Sequence, residues 1–169
     1  MRILAILGSL GVKSANLALL ETAASVAPAG VEVTLFTGLG GLPHFDPDVD
    51  PGQAPPPVQA LRQAIASSDA VLIGAPEYGH SLPGVLKNAI DWLIGSGELE
   101  GKVIAITASV PHPERGRLGL AALRQTLGAV RAAIVSDEPI TRGPESAVAM
   151  GDLLRRLADA ARERRGRPE

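Results

Sequence analysis

Two segments of the chain carry residue types that can bind or activate a ligand. The first is Gly8-Ser9-Leu10-Gly11-Val12-Lys13-Ser14-Ala15-Asn16. Glycines let backbone N–H groups converge, and Ser9, Ser14 and Asn16 add side-chain donors where the following apolar spacing starts a helix. That combination suits an anion, phosphate above all. Ser14 and Asn16 are also ordinary helix caps; the segment's place directly after a first strand favours the phosphate reading. It matches neither G-x-x-x-x-G-K-[ST] nor G-x-G-x-x-G, so nucleotide hydrolysis and a Rossmann dinucleotide site both lack their motif.

The second segment is Ala75-Pro76-Glu77-Tyr78-Gly79-His80-Ser81-Leu82-Pro83-Gly84. Two prolines and two glycines give a rigid turn whose N–H and C=O groups can face a planar ligand. Its Gly79–Gly84 stretch is one residue longer than G-x-S-x-G, and His80, adjacent to Ser81, cannot turn back to act as its base. A serine hydrolase is thereby excluded. The three histidines, His44, His80 and His112, have no second ligand at useful spacing, so no metal site is expected. With no cysteine there is no thiolate nucleophile or disulfide, which is compatible with a reducing compartment. No pair of carboxylates is placed for acid–base work, and no catalytic side chain is expected.

These segments need elements to hold them. Ile3–Leu7, Val31–Phe36, Ala70–Ile73, Val103–Ile106 and Ala132–Val135 are short, continuous apolar runs, as in strands buried on both faces. Between them lie helical spacings: Leu17, Leu20, Ala24 and Ala27; Val58, Leu61 and Ile65; Val85, Leu86, Ala89, Ile90 and Leu93; Leu118–Leu127; and Val148, Leu153, Leu154, Leu157 and Ala161. Five alternations predict a doubly wound α/β domain over residues 1–169, with its ligand at the carboxyl ends of strands one and three. Lys87 and Asp91 should pair across one helical turn, and Trp92 should be core. The Pro/Gly-rich connection Thr37–Pro57 is longer than connectivity requires, which marks it as functional or interfacial, as is the loop from Ala108 to Arg117. The basic tail Arg162–Glu169 reads as a frayed, solvated helix end.

The charge balance, 16 basic against 18 acidic residues among 169, leaves a net charge of −2 and excludes the electrostatic footprint of a nucleic-acid binder. Aromatics are only 2% of the chain, so stacking platforms for bases are missing too. The opening MRILAILGSL is too short to span a membrane and has no small-residue cleavage site, which points to a cytoplasmic protein with no membrane partner.

The pattern G-S-L-x-x-x-S-x-N-x-x-L, followed by P-E-Y-x-x-S-x-P-G-x-L-K-N-A-I-D-W-L, resembles the NADPH-dependent FMN reductase family, which includes quinone, azo-dye and chromate reductases. Leu42-Pro43-His44-Phe45-Asp46-Pro47-Asp48 and Leu123-Arg124-Gln125 also resemble family segments. The resemblance implies a flavodoxin-like five-stranded parallel sheet of order 2-1-3-4-5. It implies FMN with its phosphate on Ser9, Leu10, Ser14, Ala15 and Asn16, its ring edge on Pro76, Glu77, Tyr78 and Gly79, and Ser109 within Ala108–Val110 on the other side. NADPH or NADH would reduce the flavin, and a quinone, flavin, azo compound or similar small acceptor would reoxidise it in ping-pong turnover. A homodimer or homotetramer is implied as well.

The chain departs from the family pattern in three ways: Gly11 replaces an arginine, Gly79 replaces an asparagine, and Pro111 and Pro113 interrupt a loop that is otherwise glycine-rich. Two other readings stand beside the reductase. One is a flavodoxin-type electron carrier, for which the near-balanced charge offers no strongly acidic docking face. The other is a family member that has lost flavin and serves as a binding protein.

Overall fold

A computed structural model describes residues 1–11, 13–49 and 51–166. Val12 of the first segment, Asp50 of the long connection and the last three residues of the basic tail lie outside the described residues. The main sheet holds β1 (Arg2–Leu7), β2 (Glu32–Phe36), β3 (Ala70–Gly74), β4 (Val103–Thr107) and β6 (Ala133–Ser136), all parallel, in the order β2-β1-β3-β4-β6. Among these five strands that is the expected 2-1-3-4-5. Two further strands of two residues each, β5 (Ser109–Val110) and β7 (Ile140–Thr141), pair in parallel beside it and had no signal in the apolar pattern.

The central strands explain the apolar runs. In β1, Leu4 and Ile6 face one side while Ile3, Ala5 and Leu7 face the other; β3 and β4 alternate in the same way. One face is covered by α2 (Pro56–Ala66), α3 (Gly84–Asp91) and α4 (Arg117–Ala129) through residues such as Leu61, Ile90 and Leu123. The other is covered by α1 (Ala15–Ser25) and α5 (Ser146–Arg165) through Leu20, Met150 and Leu154.

Helix α1 buries Asn16, Leu19, Leu20 and Ala23; of the expected face, Leu17 and, past the helix end, Ala27 are only partly buried against the core, and Ala24 is exposed. Its face is rotated because a polar residue, Asn16, is turned inward, and an alanine-rich helix has too weak an apolar stripe to reveal that. Val148, expected in the core, is exposed. The tail is also more ordered than expected. Arg165 on the last turn of α5 pairs with Asp69, whose carboxylate also accepts the Arg2 N–H at 2.7 Å. Nearby, burial pulls the Lys102 ammonium below the usual lysine range; Asp69 opposes that shift and Arg165 adds to it. This charged cluster lies at the amino end of the sheet, away from the loops at the carboxyl ends of the strands.

The long connection is not structureless. A 3-10 turn covers Gly38–Gly41, a second covers Pro51–Gln53, and α2 already starts at Pro56. Between the two turns, α3 grips the chain. Asn88 Nδ2 and Trp92 Nε1 both donate to the Pro43 carbonyl at 2.9 Å, and Asn88 Oδ1 accepts the Phe45 N–H at 2.8 Å. The Phe45 ring then packs edge-on against Trp92, with centroids 5.3 Å apart. Two residues of the second motif thus exist to hold the Leu42–Asp48 segment. Trp92 is buried as expected, and Lys87 Nζ meets Asp91 at 2.6 Å. Among the described residues, no helix is long and apolar enough to cross a membrane.

Asn88→Ala should lower stability by about 1–3 kcal/mol through two lost hydrogen bonds, read as a lower urea midpoint. Emission from Trp92, the sole tryptophan, reports the same site. An unchanged midpoint would show that the Pro43–Phe45 segment is held by something else.

Candidate functional site

Three loops rise from the carboxyl ends of β1, β3 and β4. Their common footing is a backbone contact. Gly8 N–H donates to the Gly74 carbonyl at 2.9 Å, and Ala75 N–H donates to the Thr107 carbonyl at 2.9 Å. A Cβ on Gly8 would sit 2.8 Å from Ala75 Cβ, so any side chain there would push strands β1 and β3 apart.

In the first loop, Ser9 is 3% exposed and its Oγ, wholly buried, has no hydrogen-bond partner among the described residues. It lines a cavity of about 300 Å³ with Leu7, Leu17 and Thr37, floored by Gly40 and Gly41. Leu10, 58% exposed, leans over Gly40, where an added Cβ would meet its Cδ2 at 2.9 Å. Ser14 caps α1: its Oγ accepts the Leu17 N–H at 3.0 Å, which leaves its O–H as a donor. The capping and anion-binding readings of Ser14 are therefore compatible. Ala15 opens the helix with an N–H that no intrahelical carbonyl can take. Asn16, 5% exposed, uses Oδ1 to accept the Ser109 N–H at 2.8 Å, so its remaining capacity is that of an Nδ2 donor.

An orphaned buried hydroxyl, a helix N-terminus and an amide donor together fit a phosphate-bearing group such as FMN, since each is completed by an anionic oxygen. Gly11 imposes no steric demand of its own: its φ is not left-handed and a Cβ would lie 3.5 Å from Ser14 Cβ.

The second loop is a tight hairpin. Tyr78 and Ser81 exchange both backbone hydrogen bonds at 3.0 Å, and the two residues between them, Gly79 and His80, have φ of +56° and +62°. Two consecutive left-handed residues mark a type I′ turn. Glycine adopts that conformation at no steric cost, whereas His80 gives up about 1 kcal/mol. A Cβ on Gly79 would meet nothing within 4 Å, so the space beside it is open. Tyr78 is 58% exposed on this rim.

Glu77 does not present its carboxylate to the crevice. Its Oε2 accepts the Gly119 N–H at 2.9 Å and so caps α4, whose own N-cap position, Gly116, offers no side chain. Gly119 permits the approach: a Cβ there would fall 2.9 Å from Glu77 Cβ. Glu77 can therefore border a ligand only through its backbone, together with Pro76.

The third loop begins at Ser109. Its N–H is taken by Asn16, Pro111 and Pro113 have none, and the Glu114 and Arg115 N–H groups bond to His112 Nδ1 and the His112 carbonyl. Backbone donors for a ligand are consequently scarce on this side, which leaves the side chains of His112 and Arg115.

The structure thus brings the residues expected from sequence to one edge of the sheet and couples Asn16 directly to Ser109. Sequence reading missed the Glu77–Gly119 cap, the Asn16–Ser109 bond and the Thr37–Gly41 wall. The first two link positions 42 and 93 residues apart, and no local pattern carries that information.

Ser9→Ala should raise the stability of the ligand-free chain by about 1 kcal/mol, because a buried unsatisfied hydroxyl is removed. The same change should weaken FMN binding while leaving riboflavin, which has no phosphate, unaffected. Equal loss for both flavins would place the phosphate away from Ser9.

A family model described as NADPH-dependent FMN reductase matches residues 1–143. An NAD(P)H-dependent FMN reductase of Pseudomonas aeruginosa is 39% identical over 132 residues, covering 75% of this chain and 69% of that protein. A quinone reductase of Escherichia coli is 38% identical over 112 residues, covering 64% of this chain and 60% of the relative. Among solved structures, FerB, a flavoenzyme NAD(P)H:(acceptor) oxidoreductase from Paracoccus denitrificans, superposes with a TM-score of 0.78 at 26% identity, over 96% of this chain and 97% of that one. With a matching model over most of its length and the loops of that fold in place, the chain belongs to the NADPH-dependent FMN reductase family.

Proposed function

We propose that the chain is an FMN-dependent NAD(P)H oxidoreductase that reduces quinones or similarly flat acceptors in the crevice between its three loops. The observation that carries this reading is the buried, partnerless Ser9 hydroxyl beside the N-terminus of α1. Bound FMN would supply the redox chemistry, hydride acceptance from NAD(P)H and electron transfer to the acceptor.

The protein's part is to bind, orient and limit access. Ser9, the Ser14 hydroxyl, the Ala15 N–H and Asn16 Nδ2 hold the phosphate, with Leu10 covering it. The backbone of Pro76–Gly79 borders the ring, and the third loop closes the opposite side at Ser109. Tyr78 forms one wall, and the missing side chain at Gly79 leaves the opening beside it wide. Because the chain has no G-x-G-x-x-G seat for a dinucleotide, donor and acceptor use this one crevice in turn, which gives ping-pong turnover.

The exposed apolar side chains Tyr78 and Leu118 support a homodimer or homotetramer, which would bury part of this rim. The lack of cysteine fits a cytoplasmic setting. One observation favours a second reading, a binding protein without flavin: the third loop has few backbone donors left for a ring edge.

Titration of the purified protein with FMN decides between these readings; a perturbed flavin absorbance supports the reductase, and a spectrum identical to free FMN overturns it. Double-reciprocal plots at several acceptor concentrations should be parallel, and intersecting lines would require a second site. Gly79→Asn, tolerated by the left-handed turn, should narrow acceptor range more than it slows flavin reduction by NAD(P)H. Light scattering should give a mass at least twice the 17.4 kDa of one chain.

A further inference from the structure

We infer that Asn16 is a positioning residue: its side-chain oxygen sets the place of the third loop, so that the ring side of the crevice is fixed by the first turn of α1. Asn16 is buried in a helix that otherwise packs alanine and leucine against the sheet. A polar side chain is retained inside such a face only where its hydrogen bonds are met, and Asn16 Oδ1 accepts the Ser109 N–H, 93 residues away.

Ser109 is where that bond matters most. It is the first residue of β5, separated by one residue from the buried end of β4, and beyond the buried Val110 the chain turns into the exposed loop 111–115. The Ile140 and Arg142 N–H groups bond to the Ala108 and Val110 carbonyls, which ties β5 to β7 on one side. From Pro111 to Arg115 the backbone bonds run within the loop, to His112 and back. The amide of Asn16 is thus the crosspiece between the first loop and the third. Losing it removes the bond to Ser109 together with the Asn16 Nδ2 donor, and leaves the other phosphate donors, Ser9 and Ser14, in place.

This role is separable from phosphate binding, on which the reading of the crevice as a flavin site rests. A residue that only ligates phosphate affects FMN and leaves riboflavin alone. A residue that positions the ring-side loop affects both.

The test compares Asn16→Leu, which removes donor and acceptor, with Asn16→Asp, which keeps the acceptor. Amide hydrogen exchange in the ligand-free chain should show Ser109 losing about tenfold in protection in Asn16→Leu, the worth of one ordinary hydrogen bond, while Asn16→Asp keeps it and amides in β1 and β3 are unchanged. Riboflavin should bind about tenfold more weakly to Asn16→Leu and normally to Asn16→Asp. Unchanged Ser109 exchange in Asn16→Leu overturns the inference. So does a loss confined to FMN, or an Asn16→Asp variant as impaired as Asn16→Leu. If the wild-type chain binds neither flavin, the reductase reading fails, and the exchange rates alone decide the role of Asn16.

Discussion

Everything in the crevice rests on how closely the carboxyl ends of β1 and β3 approach. The two strands run in register from Ile3 opposite Ala70 to Leu7 opposite Gly74, and the next residue, Gly8, still donates to the Gly74 carbonyl. At that point the backbones are so near that a single methyl group does not fit. The chain must then leave the sheet on both sides at once, and the two departing loops define the walls of the cleft. A doubly wound sheet places its crevice where connections diverge to opposite faces; here the divergence is sharpened by a contact that only glycine allows.

The loops that leave this point are long, polar and short of secondary structure, yet each is held by a side chain from a neighbouring element. Asn16 takes the Ser109 N–H, Glu77 takes the Gly119 N–H, and Asn88 with Trp92 holds Pro43 and Phe45. Every one of these bonds runs between a side chain on one segment and backbone on another. Such bonds satisfy backbone groups that no ladder can reach, and they fix a loop without stiffening its exposed tip. Tyr78, Gly79 and His80 remain exposed at the rim.

Much of this was legible in the residues themselves. The continuous apolar runs identify the five strands of the main sheet, although the edge strands β2 and β6 are half exposed rather than buried on both faces, and Gly8–Asn16 with Ala75–Gly84 marks two loops at its carboxyl edge. The rotation of α1 was not legible, because inward-facing Asn16 contradicts the usual rule for a helix face and the surrounding alanines carry little counter-signal. The role of Glu77 was hidden for a related reason. A carboxylate in a ligand loop reads as a ligand group, whereas its partner is the third residue of a helix 42 positions later. Strands β5 and β7 are two residues each, below the length at which alternation has meaning.

The hairpin at Tyr78–Ser81 has a consequence for how relatives of this chain could diverge. Its two-residue tip touches nothing on the Gly79 side, while its base is locked by the reciprocal Tyr78–Ser81 bonds and by Glu77 on α4. Strand pairing has a period of two, so inserting residues in pairs at the tip would lengthen the wall without shifting the register of Tyr78. The rim is in effect a replaceable cassette on a fixed mount. The wall can change in length while the sheet and the loop ahead of α1 are inherited unchanged.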